Sequence, residues 1–181
     1  DGAKERNYDL KIAETLYDQM AKFAEYGFNK SHAVAYSYIA YQTAFLKTYY
    51  PPEFYAGLLS TELSNTDKIT TIINDARKHD IEVLAPCVNE SLWLFNVVDG
   101  NLRFGMGAIK GVGEGAVEEI IRERTENGPF VGFVDFCERV NLRQGNKRTI
   151  EALIRVGGFD GPEKELNRRT MVENMEMVVA F

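Results

Sequence analysis

Residues 108–121 read Ala108-Ile109-Lys110-Gly111-Val112-Gly113-Glu114-Gly115-Ala116-Val117-Glu118-Glu119-Ile120-Ile121. This is a short apolar lead, a Gly-x-Gly turn and an apolar-periodic helix. Gly111 and Gly113 are expected to take turn conformations closed to other residues. Without side chains there, a phosphate can approach the peptide N–H groups that open the next helix, where unpaired donors and the helix dipole favour an anion. Val112 is placed to plug the turn into a core, and Ala116, Ile120 and Ile121 to pack the helix behind it. Lys110 adds a long-range attraction. Lys110, Gly111, Val112, Gly113 and Gly115 are therefore the candidate phosphate-binding set. The competing reading is a glycine-rich turn that binds nothing.

The pattern is that of a helix-hairpin-helix element, which grips backbone phosphates without reading bases. A weaker copy lies at 149–160. Ile150, Leu153 and Ile154 make its helix, Val156-Gly157-Gly158-Phe159 takes the turn position, and Lys147, Arg148 and Arg155 stand nearby. Alone, this copy reads as a helix ended by Gly157. Paired with the first, it completes a two-element clamp on a duplex, adding Lys147, Arg148, Gly157 and Gly158 to the candidate set.

The rest of the chain reads as mainly α. Asp9 can cap a helix carrying Leu10, Ala13, Leu16, Tyr17, Met20, Phe23 and Ala24 on one face, with Gly27 placed to end it. Phe28-Asn29-Lys30 links it to Ser31, read as the cap of a second helix that stops before Pro51-Pro52. That second helix is apolar or neutral around most of its circumference, so it is either buried or faces a ligand. Further helices are expected from Pro52 to Leu63, after Asn65-Thr66-Asp67, and over 115–126, 132–140, 147–156 and 163 onward. Ile81 to Leu84 is extended. Leu92 to Val97, Asp99-Gly100 and Leu102 to Gly105 read as a hairpin, with Trp93 and Phe95 anchoring this β element. A domain boundary is placed near 105, giving 1–105 and 106–181.

Composition narrows the function. The chain has 181 residues, 45% hydrophobic and 27% charged, which excludes disorder and fibrous repeats. The longest stretch free of Asp, Glu, Lys, Arg and His, Ala33 to Leu46, has 14 residues, short of the ~20 that a membrane helix needs. The first residues do not read as a signal peptide, and the missing initial Met suggests a piece of something longer. Two cysteines, Cys87 and Cys137, suggest core residues in a reducing, cytoplasmic setting. The net charge of -6 is uneven: residues 141–170 carry seven basic and four acidic groups. That local basic patch is compatible with nucleic acid. Metal-assisted phosphoryl transfer needs clustered carboxylates, whereas Asp67, Asp75, Asp80, Asp99 and Asp135 are scattered and no Asp-x-Asp pair occurs. No metal site is expected.

Tyr26-Gly27-Phe28-Asn29-Lys30-Ser31-His32 sets a cation, a hydroxyl and an imidazole around a helix start. It offers either a pocket for a phosphate chain or a plain cap.

Several spaced motifs agree on one resemblance. The run Phe23-Ala-Glu-Tyr-Gly-Phe-Asn-Lys-Ser-His-Ala-Val-Ala-Tyr36, then Tyr41-Gln-Thr, Leu46-Lys, Tyr50-Pro-Pro-Glu-Phe54 and Leu59-Ser60, resembles the bacterial replicative DNA polymerase III alpha subunits. Pro86-Cys-Val-Asn-Glu-Ser91, Phe104-Gly-Met-Gly-Ala-Ile-Lys-Gly-Val-Gly113 and Leu153-Ile-Arg-Val-Gly-Gly-Phe-Asp160 continue it in order. Cys87 departs from the pattern, standing where a second proline is expected.

The resemblance covers residues 10–172. It implies a helical, C-terminal part of the fingers domain over 1–105, then a tandem helix-hairpin-helix region opening the clamp-binding part. It implies that Lys30 and His32, with Asn29 and Ser31 beside them, meet the triphosphate of the incoming deoxynucleotide. The catalytic palm and its Mg2+-holding carboxylates, the sliding-clamp peptide and the contact with the clamp-loader tau subunit would all lie outside this chain, which alone would be inactive. Primer-template duplex would be its partner. A stand-alone helix-hairpin-helix module of a repair protein and a purely structural domain are the other readings.

Overall fold

The computed structural model describes residues 2–25, 29–141 and 147–179. Two compact units emerge, residues 1–44 and 45–181. The fold is mainly helical with one small sheet, as the sequence predicts.

In the first unit, α1 (Gly2–Glu5) precedes α2 (Leu10–Glu25), and α3 (Lys30–Tyr49) begins there. Asp9 caps α2 as predicted, its carboxylate accepting from the Lys11 and Ile12 N–H groups at 2.8 and 3.2 Å. The expected stop at Gly27 lies outside the described residues. Asn29, not Ser31, caps α3. Asn29 Oδ1 accepts from the Ser31 N–H at 3.0 Å, and Ser31 sits inside the first turn. No described residue of α3 is buried, and Tyr36, Tyr38 and Tyr41 are each more than half exposed.

The second unit starts with the last turn of α3. α4 (Pro51–Ser60) opens on a proline, whose absent N–H costs nothing in a first turn. α5 (Thr66–Lys78) is capped by Asn65, which accepts from the Lys68 N–H at 3.2 Å. β1 (Val83–Leu84), β2 (Asn96–Val98) and β3 (Asn101–Arg103) form a sheet in the order β1-β3-β2. The β2–β3 pair is antiparallel, and Asp99 and Gly100 turn it with φ of 50° and 77°, the positive pair a two-residue hairpin demands. β1 pairs with β3 in parallel.

A 3-10 turn (Met106–Ala108) follows, then α6 (Glu114–Asn127), α7 (Phe133–Arg139), α8 (Lys147–Arg155) and α9 (Arg168–Val179). The element before the Gly-x-Gly turn is thus three residues of 3-10 helix and no full α-helix. α9 begins at Arg168, five residues beyond the expected start. Glu163 is spent elsewhere: its carboxylate accepts from the N–H groups of Phe133, Glu165 and Leu166, at 2.9, 2.9 and 3.0 Å.

Two apolar cores fill this unit. Tyr55, Leu59, Ile69, Ala76, Ile81, Phe95 and Leu102 make one, under the sheet. The other gathers Met106, Ile109, Val112, Val117, Ile120, Phe130, Phe133, Phe136, Leu153, Ile154, Phe159 and Met171. Phe104 packs against both. Gly105 makes the join possible: a Cβ there would lie 2.6 Å from the Leu94 carbonyl carbon and 2.7 Å from the Phe95 nitrogen. The Pro86–Ser91 motif staples the second core. Asn89 donates to Phe130 O and accepts from the Phe130 N–H, both at 2.8 Å. Buried Ser91 accepts from the Cys87 N–H and donates to Phe104 O. Arg124 donates to Val88 O and Ser91 O at 2.6 and 2.8 Å. Cys87 and Cys137 are buried free thiols, and burial pushes Cys137 up to about 12.

Candidate nucleic-acid interface

The first hairpin is built by a tight turn closing onto α6. The Val112 N–H donates to Ile109 O at 3.1 Å, and the Val112 side chain enters the core as predicted. Gly111 has φ +97°, a conformation that favours glycine. Gly113 does not: its φ of -99° and ψ of 153° are extended and open to any residue, which corrects the expectation of two obligatory glycines. Gly113 instead contributes space, since a Cβ there would meet nothing within 4 Å.

The start of α6 is left open. Gly113 is its N-cap and offers no side chain. The Ala116 and Val117 N–H groups turn back to Gly113 O, both at 3.2 Å. The N–H groups of Gly113, Glu114 and Gly115 meet no acceptor among the described residues. Such orphan donors at a helix N-terminus are ready partners for an anion.

α8 reaches this hairpin from the far side. Thr149 Oγ1 donates to Gly111 O at 3.3 Å, and a Cβ at Gly111 would stand 3.3 Å from Arg148 Nε. Arg148 therefore lies along the bare face of Gly111. Sequence reasoning included Arg148 on proximity to the second turn, but the structure brings it to the first. It missed Thr149; the only signal was a hydroxyl in the first turn of a basic helix.

The surrounding charges are largely spent. Lys147 pairs with Glu176, Arg168 with Asp160, Arg155 with Glu151 and Arg169 with Glu173. Hydrogen bonding from Lys147 lowers the Glu176 carboxyl, and that from Arg168 lowers Asp160. Lys110 and Arg148 pair with no carboxylate among the described residues. Between them opens a groove of about 580 Å³ lined by Phe104, Ala108, Ile109, Ala152 and Val156.

The second turn is built differently. Gly157, with φ +84°, donates to Ile154 O at 3.0 Å, and Gly158 to Leu153 O at 2.8 Å. Both glycines are buried, and Gly158 O accepts from the Val88 N–H at 2.9 Å. These amides cap α8 from within the fold. No helix starts directly behind them.

In the first unit, Lys30 is exposed at the start of α3, and the His32 ring stacks on Tyr36 with centroids 4.1 Å apart. Asn29 Oδ1 also accepts from the Ser31 hydroxyl at 2.5 Å. All four predicted residues, 29 to 32, thus share one helix end.

Among the described residues, no three His, Cys, Asp or Glu side chains gather to hold a metal ion, and no helix is long and apolar enough to cross a membrane.

Residues 80–171 match the helix-hairpin-helix motif family, so the class is a helix-hairpin-helix protein. Similarity then extends over the whole chain. It is 45% identical to the DNA polymerase III subunit alpha of Pseudomonas aeruginosa, and 46% identical to those of Neisseria meningitidis serogroup A and Caulobacter vibrioides, in each case over 99% of this chain and 16% of the relative. The chain belongs to the DNA polymerase III alpha-subunit family and spans about 16% of its relatives' length. Identity on both sides of residue 80 leaves the stand-alone repair module unsupported.

Proposed function

We propose that this segment holds the sugar-phosphate backbone of primer-template duplex without reading its bases, within a polypeptide that carries out template-directed DNA synthesis in the cytoplasm. One observation carries the reading. Three orphan amides, of Gly113, Glu114 and Gly115, open α6 into free space, beside two unspent cations, Lys110 and Arg148. A phosphate accepts hydrogen bonds from the three amides, is drawn in by the two cations, and brings no base edge into register.

Glycine makes the test. Gly113→Val fits the extended backbone, so it folds, yet its side chain fills the space before the amides. In a salt titration of duplex binding by the full-length polypeptide, it lowers affinity more than Lys110→Ala, which removes only an attraction through solvent. Circular dichroism checks the fold. Binding by Gly113→Val equal to wild type at every salt concentration makes the hairpin purely structural.

Lys30 and His32, with Asn29 and Ser31, are assigned to the incoming deoxynucleoside triphosphate. Lys30→Ala then removes a charge-assisted bond of roughly 1.5–3 kcal/mol. Nucleotide incorporation falls while primer-template affinity stays. A change in thermal stability alone assigns these residues to the cap. Mg2+ is assigned to palm carboxylates outside this chain. The 181-residue chain by itself is expected not to extend a primer. Sliding clamp and tau subunit are assigned to other parts of the longer polypeptide.

A further inference from the structure

The groove between the first hairpin and α8 has an apolar wall that a phosphate does not use. We infer that it receives a single unpaired nucleotide base from the strand whose phosphate the hairpin holds. This inference rests on the hairpin reading above.

Continuity comes first. Lys110 and Arg148 line the groove and also flank Gly111, so the anion site and the groove share their cations. A nucleotide is the ligand that carries a phosphate and an apolar plane on one frame. Charge points the same way: Glu151, the carboxylate in the lining, is taken by Arg155 at 2.7 Å. That leaves two cations at the rim.

Lining and size complete the fit. Phe104, Ala108, Ala152 and Val156 offer an aromatic and aliphatic wall, which suits a base face and reads no edge. At about 580 Å³ the groove falls in the range of about 300–1,000 Å³ typical of small-molecule sites. A paired base cannot enter, so the groove distinguishes frayed or bulged DNA from intact duplex.

The test uses the full-length polypeptide and two duplexes, identical except for one extrahelical 2-aminopurine nucleotide. Using an already unpaired nucleotide avoids the cost of extrusion. Base stacking on such a wall gives a preference of roughly 5-fold or more for the bulged duplex, with a change in 2-aminopurine fluorescence on binding. Ala152→Phe fills the groove and leaves Lys110 and Arg148 in place. It is expected to abolish the preference and the fluorescence change while fully paired duplex binds as before. Val156→Trp, at the exposed rim, does the same should Ala152→Phe fail to fold. Equal binding of both duplexes by wild type, with paired binding still sensitive to Gly113→Val, overturns the groove and keeps the hairpin. A preference that survives in the folded variants also overturns the groove. Paired binding insensitive to Gly113→Val overturns the hairpin reading itself.

Discussion

Gly111 and Gly113 look alike in the sequence and do different work. At φ +97° Gly111 occupies backbone that other residues enter only with strain, and its missing Cβ lets Arg148 lie across it. At φ -99° Gly113 is unstrained and faces open space. Alanine separates the two roles. Gly111→Ala should destabilise the 181-residue chain by about 1–3 kcal/mol, and Gly113→Ala should leave it within about 0.5 kcal/mol. Urea denaturation checks both, and equal losses would mean that the turn does not depend on its backbone angle. Glycine spacing was enough to locate the turn. It was not enough to rank its two glycines, because φ is set by how Val112 enters the core between them. Nor could it place Arg148 on Gly111, since that contact joins positions 37 apart through the packing of α8.

Helices with caps were the legible elements. Asp9 and Asn65 fixed two starts, and Asp99-Gly100 fixed the β2–β3 hairpin. Elements held by distant partners were not legible. β1 is two residues that exist by parallel pairing with β3, and α9 starts late because Glu163 answers the Phe133 amide thirty residues away. The last turn of α3 is fixed in this second way. Lys47 pairs with Asp75 of α5 at 2.9 Å, and Asp75 accepts from the Tyr55 hydroxyl of α4 at 2.5 Å. His79 Nδ1 stands 3.1 Å from that hydroxyl and 2.8 Å from Asp75 O. Hydrogen bonds from Tyr55, then Lys47, lower the Asp75 carboxyl below its ordinary 3.8, while burial raises the Tyr55 hydroxyl. A lowered folded value means that the unfolded chain binds the proton more readily. The stability from Asp75 is therefore complete above its ordinary value and lost as pH falls through the depressed one. In denaturation midpoints measured from pH 7 down to pH 2, wild type should lose stability relative to Asp75→Asn at the acid end, where the two converge. A constant gap across that range excludes the carboxylate as the cause. Tyr55→Phe, which removes one donor, should cost about 1 kcal/mol at pH 7.

At the scale of the whole molecule, net charge is a poor guide to where DNA is held. The chain is acidic at -6, and even its basic stretch is mostly neutralised by its own carboxylates. What a phosphate meets is set by which cations are unspent. Lys110 and Lys147, the latter at the start of the helix that carries Arg148 and Thr149, differ in this. Lys147 and Glu176 are both largely exposed, so solvent screening leaves their pair little weight in stability. To reach a phosphate, however, Lys147 must leave a carboxylate facing the DNA. Lys110 has no such debt. Each phosphate neutralised contributes about -0.9 to the slope of log affinity against log salt. Lys110→Ala should therefore reduce the magnitude of that slope by about 0.9 in the full-length polypeptide, and Lys110→Ala with Arg148→Ala by about 1.8. Lys147→Ala should leave the slope nearly unchanged, and its small loss of affinity should be recovered in Lys147→Ala with Glu176→Gln. Should Lys147→Ala change the slope as much as Lys110→Ala, the Glu176 pair yields freely to DNA, and both lysines act as phosphate contacts.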